Sequence, residues 1–442
     1  MVRVMRNSNI LFCGFLALAV VACSGDKKVP LKGERISVLQ MKDSLAVDDA
    51  VGSREIALAT ARNNTAWPQA GGNAAHAPVN LSLASKDLKR VWQTSIGEGS
   101  EKRRKLITAP IAAYDRVFAA DTEGFVSAFS LNDGKKLWRV NVLADDDDLA
   151  TVSSGLAFAM DTLFVTDGIN RILALDPATG TKKWERNLQS ALRGSLTFNS
   201  GRLYVITLDD QTLALNPVNG ETLWKHQGVT EGAGLLGAPS PAAQDSVVIS
   251  AYSSGDVVAL RPETGSEAWD DNLTGVAEAQ SRAVTKLSGF RGHPVIDGDV
   301  VIVGNAATRL VAIHIPSGER IWQKEFGSMQ TPWVAGNMIY IVTPQNEVVA
   351  LFKDSGQVRW VRQLPRFENP DDKEDPIFWN GPVLAGDRLW LSGSDKKMLA
   401  LDPLTGKDVA KVEIPYGVML SPVVVNGTLL LLSDEGELQA YR

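Results

Sequence analysis

Four histidines, two cysteines and one run of aspartates are the side chains best equipped for chemistry here, and their spacing argues against most of it. His76, His226, His293 and His314 are scattered, with no His-x-x-x-His pair, so they form no recognisable metal set. Asp145 to Asp148 are consecutive. On extended backbone such carboxylates splay apart, and they lack the alternating ligands and glycine of a calcium loop, so a solvated loop is expected. Arg103, Arg104 and Lys105 read the same way. No Gly-x-Ser-x-Gly elbow, phosphate-binding loop or dinucleotide fingerprint occurs in a fitting context. The 45 basic residues against 51 acidic ones give a net charge of −6. With no basic stripe to track phosphates, nucleic acid is not an expected partner.

The cysteines are Cys13 and Cys23, both in or at the end of an N-terminal apolar run, so no disulfide framework holds the chain. Arg3 and Arg6 precede that run, which extends from about residue 10 to 21. It is short for a bilayer span and suits a signal-peptide core. It ends Val20-Val21-Ala22-Cys23-Ser24, which resembles the lipobox of bacterial lipoproteins. That resemblance implies cleavage before Cys23 and acylation of its thiol, leaving no cysteine for nucleophilic chemistry. A multiply acylated anchor is stable where a single chain is marginal. Ser24 after the cysteine implies sorting to the outer membrane.

The elements that would position any site are repeats. Ala174-Leu-Asp-Pro-Ala-Thr-Gly180-Thr-Lys-Lys-Trp184 recurs at 128–138, 214–224, 259–269, 312–322 and 350–360. A seventh copy from Ala400 puts Ala410 where tryptophan belongs, and an eighth starts at Ala440 and stops with the chain. Near the front, Trp92 stands in a strand-like stretch without its partner half. Copies lie roughly 40 to 50 residues apart, the period of a four-stranded propeller blade. The units are short β-rich runs punctuated by Asn-Gly, Asp-Gly and Asp-Pro-x-Thr-Gly turns. We therefore expect an all-β, eight-bladed propeller over 65–442, closed by pairing the Trp92 strand with the C-terminal blade. Closure removes an open edge between first and last blades.

Trp92, Trp138, Trp184, Trp224, Trp269, Trp322 and Trp360, one per repeat, read as staples between blades rather than as a ligand cage. By the same reasoning the seventh repeat, with Ala410, should make the loosest seam. Residues 1–22 are then a signal peptide and 23–64 a lipidated tether. About 40 residues of flexible coil reach roughly 35 Å. Gly33 to Leu39 either docks on the propeller or a partner, or is plain leader. Trp67-Pro-Gln-Ala-Gly-Gly72 reads as a cap on the propeller. The links around 271–289 and 364–379 are the longest between repeats, and function concentrates on such loops.

The repeat is similar to the tryptophan-docking motif of quinoprotein dehydrogenases, which bind pyrroloquinoline quinone. That likeness implies a cofactor funnel, yet the adjacent cysteines many of them carry are absent, and no cofactor or metal site can be assembled. A second resemblance covers nearly the whole chain: Val20 to Cys23, Gly33 to Leu39, Trp67-Pro-Gln-Ala-Gly-Gly-Asn-Ala-Ala-His76 and Val91-Trp-Gln-Thr-Ser-Ile-Gly97 are similar to the BamB family of outer-membrane assembly factors. It implies a non-enzymatic lipoprotein scaffold on the periplasmic face of the outer membrane. Implied partners are the POTRA domains of BamA, other subunits of the assembly machinery and unfolded outer-membrane proteins, the last through exposed edge strands. In that family the partner surface lies on loops leading into blades four and five. The matching positions are Leu235, Leu236, Phe290 and Arg291, where the family's arginine and acidic pair are replaced. Two readings stand for these positions: a mainly apolar contact with Arg291 reaching an acid on the partner, or burial at the blade lead-ins. Alternatives for the chain are a quinone-dependent dehydrogenase, or a propeller for another envelope partner.

Overall fold

The computed structural model describes residues 45–442 except 53, 144–154, 193, 231–238, 275–288 and 307. Cys13, Cys23, Gly33 to Leu39, Asp145 to Asp148, Leu235 and Leu236 lie outside the described residues. Residues 46–442 form one compact unit built from eight antiparallel four-stranded sheets.

Seven blades are simple meanders. The first runs Ile111–Ala113, Arg116–Ala120, Phe125–Ser130 and Lys136–Asn141, and blades two to seven begin at Leu156, Thr197, Ala242, Val295, Trp333 and Trp379. The eighth has the order Arg90–Ser95, Glu437–Tyr441, Thr428–Leu432, Val423–Val425, so the ring closes between the chain's two ends with Trp92 opposite Ala440. The burial patterns follow from position in the blade. Second strands such as Leu203, Tyr204, Val205 and Ile206 are buried on both faces, whereas fourth strands such as Lys182–Asn187 are mostly exposed, which makes them the outer edge.

One row of side chains recurs across every blade. Phe118, Ala128 and Trp138 are cross-strand neighbours, as are Phe164, Ala174 and Trp184, and Tyr204, Ala214 and Trp224. The alanine leaves room for the two rings to approach, at 6.0, 5.9 and 5.8 Å between centroids. Each tryptophan then crosses the seam. Trp138 donates from Nε1 to the carbonyl of Pro177 at 3.1 Å in the next blade's repeat turn, and the same bond joins Trp184 to Pro217, Trp224 to Pro262, Trp269 to Ile315, Trp322 to Lys353 and Trp360 to Pro403. Trp92 completes the set on Leu131 at 3.0 Å. The turn glycine is required by this contact: Gly180 has φ +74°, and a Cβ there would stand 2.9 Å from Trp138 Cε3.

The seam between blades seven and eight is explained by the closure. Blade eight has no repeat turn between its third and fourth strands, because Glu437–Tyr441 and Arg90–Ser95 come from separate parts of the chain: Lys89 and Arg442 exchange backbone hydrogen bonds of 2.9 and 3.0 Å. A tryptophan at 410 would find no turn to dock on. Blade seven keeps the ring on its second strand, where Trp390 is fully buried opposite Ala400, which in turn faces Ala410. Trp390 fills that row from the second strand, but its indole bonds to Ala385 within the blade, so the seam beside Ala410 has no indole crossing it.

Candidate functional site

The leader is threaded across the inner strands of the ring. Ala57 exchanges backbone and side-chain bonds with Asn337 in blade six, and Asn64 accepts from the Asn426 amide in blade eight. Trp67 exchanges two backbone bonds with Ala112 in blade one at 2.7 and 2.8 Å, and Pro68 accepts from Phe158 in blade two. Gln69 Oε1 accepts from the Phe198 amide in blade three at 2.7 Å, while its Nε2 donates to the Phe198 carbonyl. Ala74 accepts from Ala243 in blade four and Ala75 from Ile296 in blade five. Leu81 pairs with Leu384 in blade seven, and Trp333 donates from Nε1 to Val79 at 2.9 Å. Residues 57–84 thus touch all eight blades. The stretch reads locally as irregular because it is rich in Gly, Pro and Asn, and because it borrows its hydrogen bonds from the sheets. Residues 48–52 and 54–64, placed in the tether by the sequence reading, lie against blades six and eight, with Asp48 and Arg54 bonded to the Val358 and Asp354 region.

Beside this cap, the lead-ins to the first strands line a partly open cavity of about 160 Å³. Trp67, stacked on Trp333 with centroids 6.5 Å apart, forms part of its floor. Two histidines that looked unrelated meet here: His76 and His293 have ring centroids 4.7 Å apart. His76 donates from Nδ1 to the Pro294 carbonyl at 2.8 Å, and His293 Nδ1 accepts from the Ser240 amide at 2.9 Å. Burial pushes the His76 pKa down to about 4 and holds His293 well below its ordinary value, so both are neutral at pH 7. His76 Nε2 is left buried without a hydrogen bond. Among the described residues no group of three or more His, Cys, Asp or Glu could hold a metal ion.

The proposed partner residues separate. Phe290 is 3% exposed and packs with Val303, Val311 and Ile313 in the core between blades four and five, so it supports the loop rather than presenting a contact. Arg291 lines the central cavity and a second one of about 180 Å³, which lies beneath the hairpin Phe367–Asn369 and Glu374–Pro376 in the link to blade seven. The apolar surroundings lower its guanidinium pKa. The sequence reading did not find the histidine pair or the position of Arg291. The common signal was the Gly-His-Pro lead-in at 292–294, which aligns with Thr331-Pro332 and Ser421-Pro422 in other repeats.

An eight-bladed ring of tryptophan-docked repeats, with a capped channel, defines the class of pyrroloquinoline-quinone-like repeat propellers. Within it, the profile described as "Outer membrane protein assembly factor BamB" matches residues 122–362, more than half of the chain, and the chain belongs to that family. The assembly factor of that name from Yersinia pestis is 24% identical over 80% of this chain and 88% of its own length. The chain also spans about two thirds (67% and 66%) of the length of two uncharacterized Rickettsia proteins, which are 25% and 24% identical to it. Among solved structures, BamB from Moraxella catarrhalis superposes with a TM-score of 0.67 at 17% identity, over 80% of this chain and all but 1% of that one, which covers 99%. A quinohemoprotein alcohol dehydrogenase from Pseudomonas putida reaches 0.64 at 13% identity, over 86% and 80%, a likeness of fold alone.

Proposed function

We propose that this chain is a non-enzymatic scaffold of the machinery that assembles outer-membrane β-barrels. In this reading Cys23 carries the lipid that holds it at the periplasmic face of the outer membrane, and the propeller presents the links into blades four and five to the POTRA domains of BamA. Leu235 and Leu236 make the apolar contact, with Phe290 bracing the loop from inside. The outer fourth strands offer edges to extended, unfolded barrel proteins. Membership of the assembly-factor family over residues 122–362 carries this reading.

The quinone alternative does not fit the residues present. Pyrroloquinoline quinone bears three carboxylates, whereas the described lining of the central cavity offers one cationic side chain, Arg291. Both cysteines of the chain, Cys13 and Cys23, lie in the N-terminal segment.

The test is capture of purified POTRA domains by the full chain and by a Leu235→Glu, Leu236→Glu double variant. Burying two unpaired carboxylates in an apolar contact should weaken binding by about tenfold or more. Equal capture by a folded double variant would remove these loops from the interface.

A further inference from the structure

The outer strand of blade three, Thr222–Gln227, differs from the other outer strands in what surrounds it. Leu208, Val218, Leu223 and Val229 all belong to this blade and are 48 to 69% exposed, whereas no other blade exposes more than two large apolar side chains among the described residues. They follow the strand from end to end. Val218 lies in the turn before it, Leu223 within it and Val229 just after it. Leu208 joins the far end, because the carbonyl of its neighbour Asp209 accepts from Gln227 Nε2 at 2.9 Å and from Thr230 Oγ1 at 2.8 Å.

The same strand is sparsely charged, and charged side chains are the usual protection of a sheet edge. Lys182–Asn187 of blade two carries Lys182, Lys183, Glu185 and Arg186, and Glu267–Asn272 of blade four carries Glu267, Asp270 and Asp271. Lys225 is the one lysine, arginine or carboxylate in Thr222–Gln227. Arg90–Ser95 of blade eight is as sparsely charged, but Val91 is its one exposed large apolar residue. The direction of the free backbone groups follows from the ladder. Gly228 donates to the Asp210 carbonyl at 2.8 Å, and bonded pairs alternate along an antiparallel pair, so the backbone groups of Lys225 and Gln227 point away from the third strand. Blade six shows what such an edge holds. There Asp48, an extended residue of the leader, donates its amide to the Val358 carbonyl at 3.1 Å and accepts from the Val358 amide on Oδ2 at 2.6 Å.

We propose that the outer strand of blade three is the edge on which an extended polypeptide with alternating apolar residues adds as a fifth strand, its backbone on Lys225 and Gln227 and its apolar side chains against Leu223 and Val229. This sharpens the part of the assembly reading in which fourth strands meet unfolded barrel proteins, and rests on it, since membrane barrels are built from strands of alternating apolar residues. POTRA capture through Leu235 and Leu236 is a separate measurement, so either can fail without the other.

The experiment is fluorescence anisotropy of a labelled peptide, Glu-Val-Thr-Val-Thr-Tyr-Thr-Val-Glu, titrated with the purified full chain. Binding should saturate. Lys225→Pro removes one outward amide at a position where an edge strand tolerates proline, and a Leu223→Lys, Val229→Lys double variant adds charges along the edge. Each should weaken binding by about tenfold or more while melting close to the parent. Glu185→Pro, the same change on the outer strand of blade two, should leave binding unchanged. The proposal is overturned if the peptide does not bind, if the folded blade-three variants bind it as the parent does, or if Glu185→Pro weakens binding equally. A dimer of the chain that the double lysine variant dissolves, without peptide binding, would assign the edge to a second copy and overturn it as well.

Discussion

Trp390 and Ala410 belong to one cross-strand row of the seventh blade, joined through Ala400; this blade keeps the second-strand ring that Phe118, Phe164 and Tyr204 supply elsewhere and has alanine in place of the fourth-strand tryptophan. Trp390 keeps its indole hydrogen bond inside the blade, to Ala385 at 3.0 Å, rather than across a seam. Trp390→Ala should therefore cost about 3–5 kcal/mol by cavity formation. Ala410→Trp should destabilise by about 1–3 kcal/mol through overpacking, because no repeat turn awaits the ring. Denaturant midpoints of the two variants check this; a stabilising Ala410→Trp would contradict it.

The cap should act as a cross-brace. Gln69 satisfies both backbone groups of Phe198 with one side chain. Gln69→Ala leaves the partly buried Phe198 amide without its partner, at about 1 kcal/mol. Because the segment bridges all eight blades, limited proteolysis of this variant should open sites near 57–84 before any strand is cut. Unchanged protease resistance would show that the remaining bonds hold the cap alone.

Acid should loosen the same region. His76 has a folded pKa of about 4 against 6.5 for the free side chain. The unfolded chain therefore takes up the proton first, so the contribution is complete above pH 6.5 and is lost as pH falls towards 4. For a fully buried ring this amounts to about 3 kcal/mol, and His293 acts in the same direction. Melting temperature followed from pH 7 to pH 4 should fall less steeply in His76→Gln, whose amide can still donate to the Pro294 carbonyl. Parallel curves would remove His76 as a source of the acid sensitivity.

The turn glycines that receive the indoles should tolerate little. Gly180→Ala places a Cβ against the Trp138 ring at a positive φ, so a loss of more than about 1 kcal/mol is expected. Gly201, with φ +75° and open space around it, should lose only the backbone contribution. Equal losses at the two sites would mean that the indole contact adds nothing.

The repeat spacing made the ring and its closure legible, because Ala, Gly and Trp recur at fixed offsets and Trp92 completes the half-repeat at Ala440. The second-strand position of Trp390 was legible too. It lies ten residues before Ala400, as Phe118 does before Ala128 and Tyr204 before Ala214, a signal hidden because the second strand varies between aromatic and aliphatic residues. The threading of residues 57–84 was not legible. Its partners on the blades are backbone groups 45 to 362 residues away, and backbone bonding leaves no pattern in side-chain type. Which of the two readings applied to Phe290 and Arg291 was not legible: a lead-in to an inner strand alternates between core and cavity over two residues, so loop composition alone gives no direction, and Phe290 follows the reading of burial at the blade lead-in.

The assembly role is tested most directly by affinity purification of the intact chain from its native envelope in mild detergent, followed by mass spectrometry. The account predicts recovery of a POTRA-bearing barrel insertase together with other assembly subunits. Recovery of redox carriers or cell-wall enzymes, without the insertase, would contradict it.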